Sequence, residues 1–147
     1  MTSDTLADIL TRIRNAMLVK NPIVTIPKTT MTKSLREIFS KEGYIENVLD
    51  ILYKSASYTK TSTNILILEL KYTGAQSNSV ITNVQVISRP GLRVYVNYNE
   101  IPKILGKLGL VVLSTSNGLI TDRNARFHRI GGEVICSIWL CLLFNKL

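Results

Sequence analysis

Residues 114–132 read STSNGLITDRNARFHRIGG, a segment dense in small hydroxyls, glycines and arginines. Ser114, Thr115 and Ser116 put three hydroxyls in a row. Each hydroxyl both donates and accepts, which suits base edges, 2′-hydroxyls and phosphates. Asn117-Gly118 then makes a tight turn, because both residue types tolerate positive φ, and it leaves backbone N–H groups without bulky cover. Arg123, Arg126 and Arg129 follow at three-residue spacing, near one face if the segment is helical, where they would supply register-setting phosphate contacts. Residues 88–95, SRPGLRVY, have a similar character. Pro90-Gly91 fits a type II turn between Arg89 and Arg93. If residues 92–96 are extended, Arg93 and Tyr95 share a face, a cation for a phosphate beside a ring for an unpaired base. Each segment also has a plainer reading, a hairpin with scattered surface charge. The chemistry common to both is recognition of a phosphate-rich, folded partner, and that points to structured RNA.

The charge agrees. The chain has 147 residues, 46% of them hydrophobic, with 18 Lys and Arg against 10 Asp and Glu, a formal net charge of +8. The excess leans to the second half, where residues 72–147 carry 8 basic and 3 acidic side chains. Such a surface draws polyanions and speeds encounter, although many basic proteins bind no nucleic acid.

Other chemistries lack their residues. The single histidine, His128, has only Asp122 and Glu133 as nearby acids, and no GxSxG elbow, P-loop or GxGxxG occurs. Asp4 and Asp8 form an i, i+4 carboxylate pair that complements a helix dipole without further function. Cys136 and Cys141 form no CxxC pair and cannot complete a zinc site with one histidine, so they read as buried thiols of a reducing compartment. No catalytic set, metal, cofactor or small-molecule substrate is expected. The N-terminus lacks the continuous apolar core of a signal peptide, and its acidic residues do not suit a transit peptide. The longest apolar run, residues 134–144, is broken by Ser137 and falls short of the roughly 20 residues needed to span a bilayer, so a soluble chain is expected.

The elements that must carry these segments follow from periodicity. Leu6, Ile9, Leu10, Ile13 and Met17 make one helical stripe, capped by Ser3 or Asp4 and broken at Asn21-Pro22. Arg12 and Arg14 fall off that stripe beside Asn15, which locally favours ordinary solvated arginines. A short strand over 23–27 precedes a helix capped by Thr30 and closed at Gly43, then strands over 44–53 and 65–72 joined by a polar loop over 54–63. The break TGAQSNS over 73–79 divides this first lobe, α-β-α-β-β, from a second. The second lobe reads as strands over 80–88 and 92–96, a short helix over 100–108, strands over 110–113 and 119–120, a helical turn over 122–129 and a strand over 133–140. The expected fold is α+β, with an N-terminal α/β lobe at 1–73 and a mainly antiparallel β lobe at 80–147.

These residues resemble a known family. LADILTRIRNA at 6–16, EGYI at 42–45, SRPGLRVY, and the run from Leu108 to Trp139 with its STS-x-G turn, TDR-x-AR and GGE, are similar to small-ribosomal-subunit protein number eight. The blocks occur in the family's order and span nearly the whole chain. The resemblance implies a structural protein that binds small-subunit rRNA early in assembly, chiefly an irregular helix of the central domain, alongside neighbouring ribosomal proteins. On matching positions it implies that Ser114, Thr115, Ser116 and Gly118 insert at the irregular core. Arg89, Pro90, Gly91, Arg93 and Tyr95 then lie alongside, and Thr121, Arg123, Arg126, Gly131, Gly132 and Glu133 complete the surface. Glu133, an acid facing RNA, either accepts from a base amino group or orients an arginine. Arg12, Arg14 and Asn15 would face a neighbouring rRNA helix. Asn117 takes a turn position where lysine or arginine is common, and residues 96–99 lack the basic residues often found there. The apolar tail over 140–147 extends past Trp139 and packs on the second lobe or on a neighbouring protein.

The opening residues, the ILGKLGLVVLSTS run and the Trp139 ending resemble plastid members, which implies a plastid ribosome, with a bacterial cytoplasm as the alternative. Two other functions stand beside rRNA binding. One is regulation through the protein's own messenger, and the other is a protein-interaction module whose basic charge is incidental.

Overall fold

The apolar stripe of the first segment becomes α1 (Thr2–Leu18), with Leu6, Ile9, Leu10 and Ile13 at most 2% exposed. Burial of each such side chain contributes about 1.5–3 kcal/mol. The structure, a computed structural model, describes residues 2–53, 63–73, 78–89, 91–104 and 109–140. Ser3 and Asp4 already lie inside α1 rather than ahead of it. The apolar pattern begins only at Leu6, so it could not say which of three adjacent polar residues opens the helix. Beyond Leu18 the chain turns through Lys20 at φ 55°, and Asn21 Oδ1 accepts from the Ile23 N–H.

β1 (Ile23–Pro27) buries Val24 and Ile26. α2 (Thr30–Lys41) is capped by Thr29, one residue before the expected Thr30. Both threonines are chemically able to cap, but only Thr29 has a Thr32 three positions on to complete the reciprocal box, with Thr32 N–H donating to Thr29 Oγ1 and Thr29 N–H to Thr32 Oγ1. α2 ends in a Schellman motif. Gly43, at φ 80°, donates to the Ser40 carbonyl and Tyr44 to that of Phe39, while the two rings meet edge-on at 5.9 Å. β2 (Ile45–Tyr53) and β3 (Thr63–Leu70) complete an antiparallel sheet ordered β1-β3-β2. The expected helix-strand-helix-strand-strand order is the observed one.

The predicted break is flanked by a small antiparallel pair, β4 (Tyr72–Thr73) with β5 (Asn78–Ser79). The second sheet contains β6 (Ile81–Val86), β7 (Tyr95–Val96), β8 (Gly109–Thr115), β9 (Gly118–Thr121) and β10 (Gly132–Leu140), with α3 (Asp122–His128) inserted before β10. Its order is β6-β10-β8-β9, and β7 also pairs with β10. The strand expected over 92–96 shrinks to two residues. The helix expected over 100–108 is not there in its described part: residues 98–100 form a turn and 101–104 are irregular. Ile101 precedes Pro102, whose ring disfavours helical φ/ψ at the preceding residue. The Ile101 side chain is buried all the same. The loop over 54–62, the centre of the break at 74–77, Pro90, the rest of the expected helix at 105–108 and the tail over 141–147 with Cys141 lie outside the described residues.

Strand β8 explains the continuous apolar run in the sequence. Leu110 and Val112 face a large core shared with α1, α2 and β3, while Val111 and Leu113 face a smaller one with Ile101, Ala125 and Val134. A register shift between Val134 and Cys136 turns Cys136 and Ile138 of β10 into the large core. Val134 faces the smaller core and Ile135, Cys136 and Ile138 the larger one, so both faces of β10 are covered here and its run is apolar apart from Ser137. No helix among the described residues is long and apolar enough to cross one. Burial pushes the Cys136 thiol up to about 12. Its sulfur therefore stays protonated in the folded chain at neutral pH.

Candidate nucleic-acid interface

Strand β8 delivers Ser114 and Thr115 to its end, and a two-residue turn of Ser116 and Asn117 leads into β9 at Gly118. Only Gly118 takes positive φ, at 96°, so glycine is needed there and not at Asn117. The three hydroxyls differ in what they do. Thr115 Oγ1 accepts from the Asn117 N–H at 3.2 Å and donates to the Gly118 carbonyl at 3.0 Å, so it closes the turn. Ser114 is half-buried within the sheet, and Ser116, Asn117 and Gly118 stand exposed at the tip.

Strand β10 runs between this hairpin and β7. Glu133 lies opposite Ser114 on one side and Tyr95 on the other, so the three share a face. Arg93 Nη1 donates to Glu133 Oε1 at 3.0 Å, which makes the acid an orienting partner for an arginine. Tyr95 is 71% exposed. The loop before it is closed by paired bonds between Arg89 and Leu92, and Ser88 Oγ accepts from the Val94 N–H. Arg89 and Gly91 are exposed. Gly131 and Gly132 sit where other backbones press in: a Cβ on Gly131 would meet the Val96 carbonyl oxygen at 2.5 Å, and one on Gly132 the Ser114 carbonyl oxygen at 2.4 Å. Seven of the sequence-predicted residues, Arg93, Tyr95, Ser114, Thr115, Gly131, Gly132 and Glu133, thus meet across β7, β10 and β8.

Others do different work. Thr121 is the N-cap of α3, buried, its hydroxyl accepting from the Asn124 N–H. Arg126 turns inward, where Nη1 donates to Asp122 Oδ2 at 2.8 Å and Nη2 to the carbonyls of Ile101 and Pro102. Asp122 is itself buried and accepts from the Val111 N–H. Three-residue spacing therefore does not put the arginines on one face. Arg123 is exposed on α3, Arg126 points inward, and Arg129 lies past the helix end at φ 55°. Replacing Arg126 with Ala leaves a buried carboxylate without its partner, and we expect a loss of about 1–3 kcal/mol in denaturant unfolding. The salt slope of RNA binding should stay unchanged; a drop of about one unit would place Arg126 on a phosphate instead.

On α1, Arg12 pairs with Asp8 at 3.0 Å and donates to the Thr25 carbonyl, lining a cleft with Lys28 and Asn64. Arg14 does not face outward as expected. It reaches the Val84 carbonyl of β6 and ties α1 to the second sheet, because its half-buried position offers that acceptor. Asn15 is exposed. These three stand on a helix packed against β1, β6 and α2, and do not join the β7-β10-β8 group. Two features were not singled out in the sequence. One is a groove between α2 and the hairpin, lined by Glu37, Lys41, Asn117, Gly118 and Asn124. The other is Phe127, 82% exposed on α3. The only sequence signal for Phe127 is a large aromatic among polar residues, off any apolar stripe.

The profile of the family described as Ribosomal protein S8 matches residues 4–139. The chain belongs to that family. Proteins named small ribosomal subunit protein uS8c match it along their whole length. That of Marchantia polymorpha is 46% identical over 139 residues, covering 95% of this chain and 100% of its own. The Rhodomonas salina protein is 47% identical over 139 residues and the Chlorella vulgaris protein 46% over 146, each with the same coverage. The described surface carries hydroxyls, arginines and an exposed tyrosine on the second sheet, and no group of His, Cys, Asp and Glu that could hold a metal occurs among the described residues.

Proposed function

We propose that this chain is a structural, rRNA-binding constituent of the small subunit of a plastid ribosome, in the chloroplast stroma. It seats on an irregular helix of the rRNA central domain and contacts neighbouring ribosomal proteins. The observation that carries this reading is the convergence of Tyr95, Arg93, Glu133 and Ser114 across three strands, with the exposed Ser116–Gly118 tip beside them. Rigid strands hold these groups, so little ordering entropy opposes binding. Ser116 and the turn backbone meet the irregular core, Tyr95 stacks on an unpaired base, and Arg89, Arg123 and Arg129 contact phosphates. Arg12 and Asn15 offer a separate contact to a second rRNA helix. Because the chain binds one folded arrangement of the rRNA in preference to others, it stabilises that arrangement by linkage, which is how it promotes assembly.

A salt-titrated binding assay tests this, comparing the central-domain rRNA helix with a same-length duplex that lacks the irregular core. Specific recognition predicts a gap of about 4–10 kcal/mol between them. Equal, steeply salt-dependent binding to both means a merely polybasic surface. Within the same assay, Glu133→Gln should cost little stability, since the Arg93 pair is partly exposed and such pairs contribute about 0–1 kcal/mol. It releases Arg93 from its acid, and the salt slope should steepen by about one unit. An unchanged slope would show that Arg93 does not reach a phosphate in that variant.

A further inference from the structure

The most exposed large apolar side chain on the described surface is Phe127, 82% open to solvent. An aromatic ring of that size gains nothing from water, and α3 buries Ala125 and Asp122 while leaving this ring outside. Its setting selects the partner. Arg123 stands one helical turn before it on the same side of α3 and Arg129 follows two residues later, both exposed. The His128 ring meets it edge-on at 5.1 Å, which limits the ring's freedom without covering it. Asn124, also one turn before His128, lines the groove that Asn117 and Gly118 line, so the open side of α3 adjoins the hairpin tip.

The geometry points to Phe127 as an RNA-stacking residue: its ring receives an unpaired base of the same RNA that the hairpin engages, while Arg123 and Arg129 hold the flanking phosphates. This inference rests on the rRNA-binding reading and adds a second aromatic platform to it beside Tyr95's. A ring between two cations matches a polyanion that carries flat, apolar faces, and base-on-aromatic stacking tolerates any base identity.

The test measures Phe127→Ala and Phe127→Trp against the central-domain rRNA helix carrying 2-aminopurine at each unpaired position in turn. Both variants change a solvent-facing side chain, and thermal unfolding checks that each folds as the wild type does. Expected are a loss of about 5- to 140-fold in affinity for Phe127→Ala, retention in Phe127→Trp, and a salt slope equal to wild type in both. One 2-aminopurine position should be quenched by the wild type and by Phe127→Trp but not by Phe127→Ala. Wild-type affinity in Phe127→Ala overturns the inference, provided the wild type still prefers the irregular helix over the plain duplex. If the wild type shows no such preference, it is the rRNA reading itself that fails.

Discussion

Replacing Ser116 with tryptophan should abolish preference for the irregular helix, a loss of about 1,000-fold or more, while the protein still unfolds cooperatively at an unchanged midpoint. The two halves of this result have separate causes. Ser116 is exposed at the tip of a two-residue turn, and the bonds that close the turn belong to Thr115, Asn117 and Gly118. An indole at residue 116 therefore displaces only solvent in the free protein. On the proposed reading it would occupy, in the complex, the volume through which the turn backbone approaches the RNA, and the short hydroxyl that allows that approach would be gone. Ser116→Ala separates the two contributions: it removes one hydrogen bond without adding bulk and should cost about 2- to 12-fold. The residual binding of the tryptophan variant should be as salt-dependent as binding to any duplex, since the arginines are untouched. Wild-type affinity in Ser116→Trp, measured by titration beside thermal unfolding, would sink the insertion of this turn into the RNA.

Why the tip was readable and its surroundings were not follows from where the information sits. The Schellman end of α2 is local: Gly43, Phe39 and Tyr44 lie within six residues and satisfy one another. The order of elements in the first sheet, and the hairpin built on Thr115 and Gly118, are local too. By contrast, Arg126 was expected to face a phosphate because three-residue spacing fixes an angle around a helix but not which side is inside. That choice is made by Asp122, buried against the Val111 N–H, and by the carbonyls of Ile101 and Pro102 some 24 residues away. Arg14 likewise finds its acceptor at Val84, 70 residues on. The pairing of Glu133 with both Ser114 and Tyr95 depends on strand order in the second sheet, which no local pattern encodes. Thr121 looked like part of a contact motif and serves as a helix cap, a case in which one hydroxyl suits two uses. The expected helix at 100–108 was an apolar stripe read without its proline.

Glycine 132 shows how far structure and contact are entangled in this surface, and its substitution has the second large expected effect. The family resemblance implies that Gly131 and Gly132 belong to the RNA-facing surface, yet the nearest backbone is the protein's own. A methyl group on Gly132 would lie 2.4 Å from the Ser114 carbonyl oxygen and 2.9 Å from Thr115 Cγ2. Neither can yield cheaply, because Ser114 is fixed by pairing with Glu133 on one side and Leu119 on the other. Gly132→Ala should therefore lower stability by about 1–3 kcal/mol, read as a fall in the denaturant midpoint at unchanged m-value. The strain enters through Ser114 and Thr115, the stem of the hairpin, so affinity for the irregular helix should fall together with stability. Gly91→Ala is the matched control, since a Cβ there meets nothing within 4 Å and no packing cost is expected. The combination of outcomes decides between two roles for residue 132. Loss of stability and of binding together means that glycine is required to bring β8 and β10 close enough to shape the hairpin. Wild-type stability with lost binding means that the space over Gly132 is used by the RNA, and the close approach of the Ser114 carbonyl must then relax at little cost.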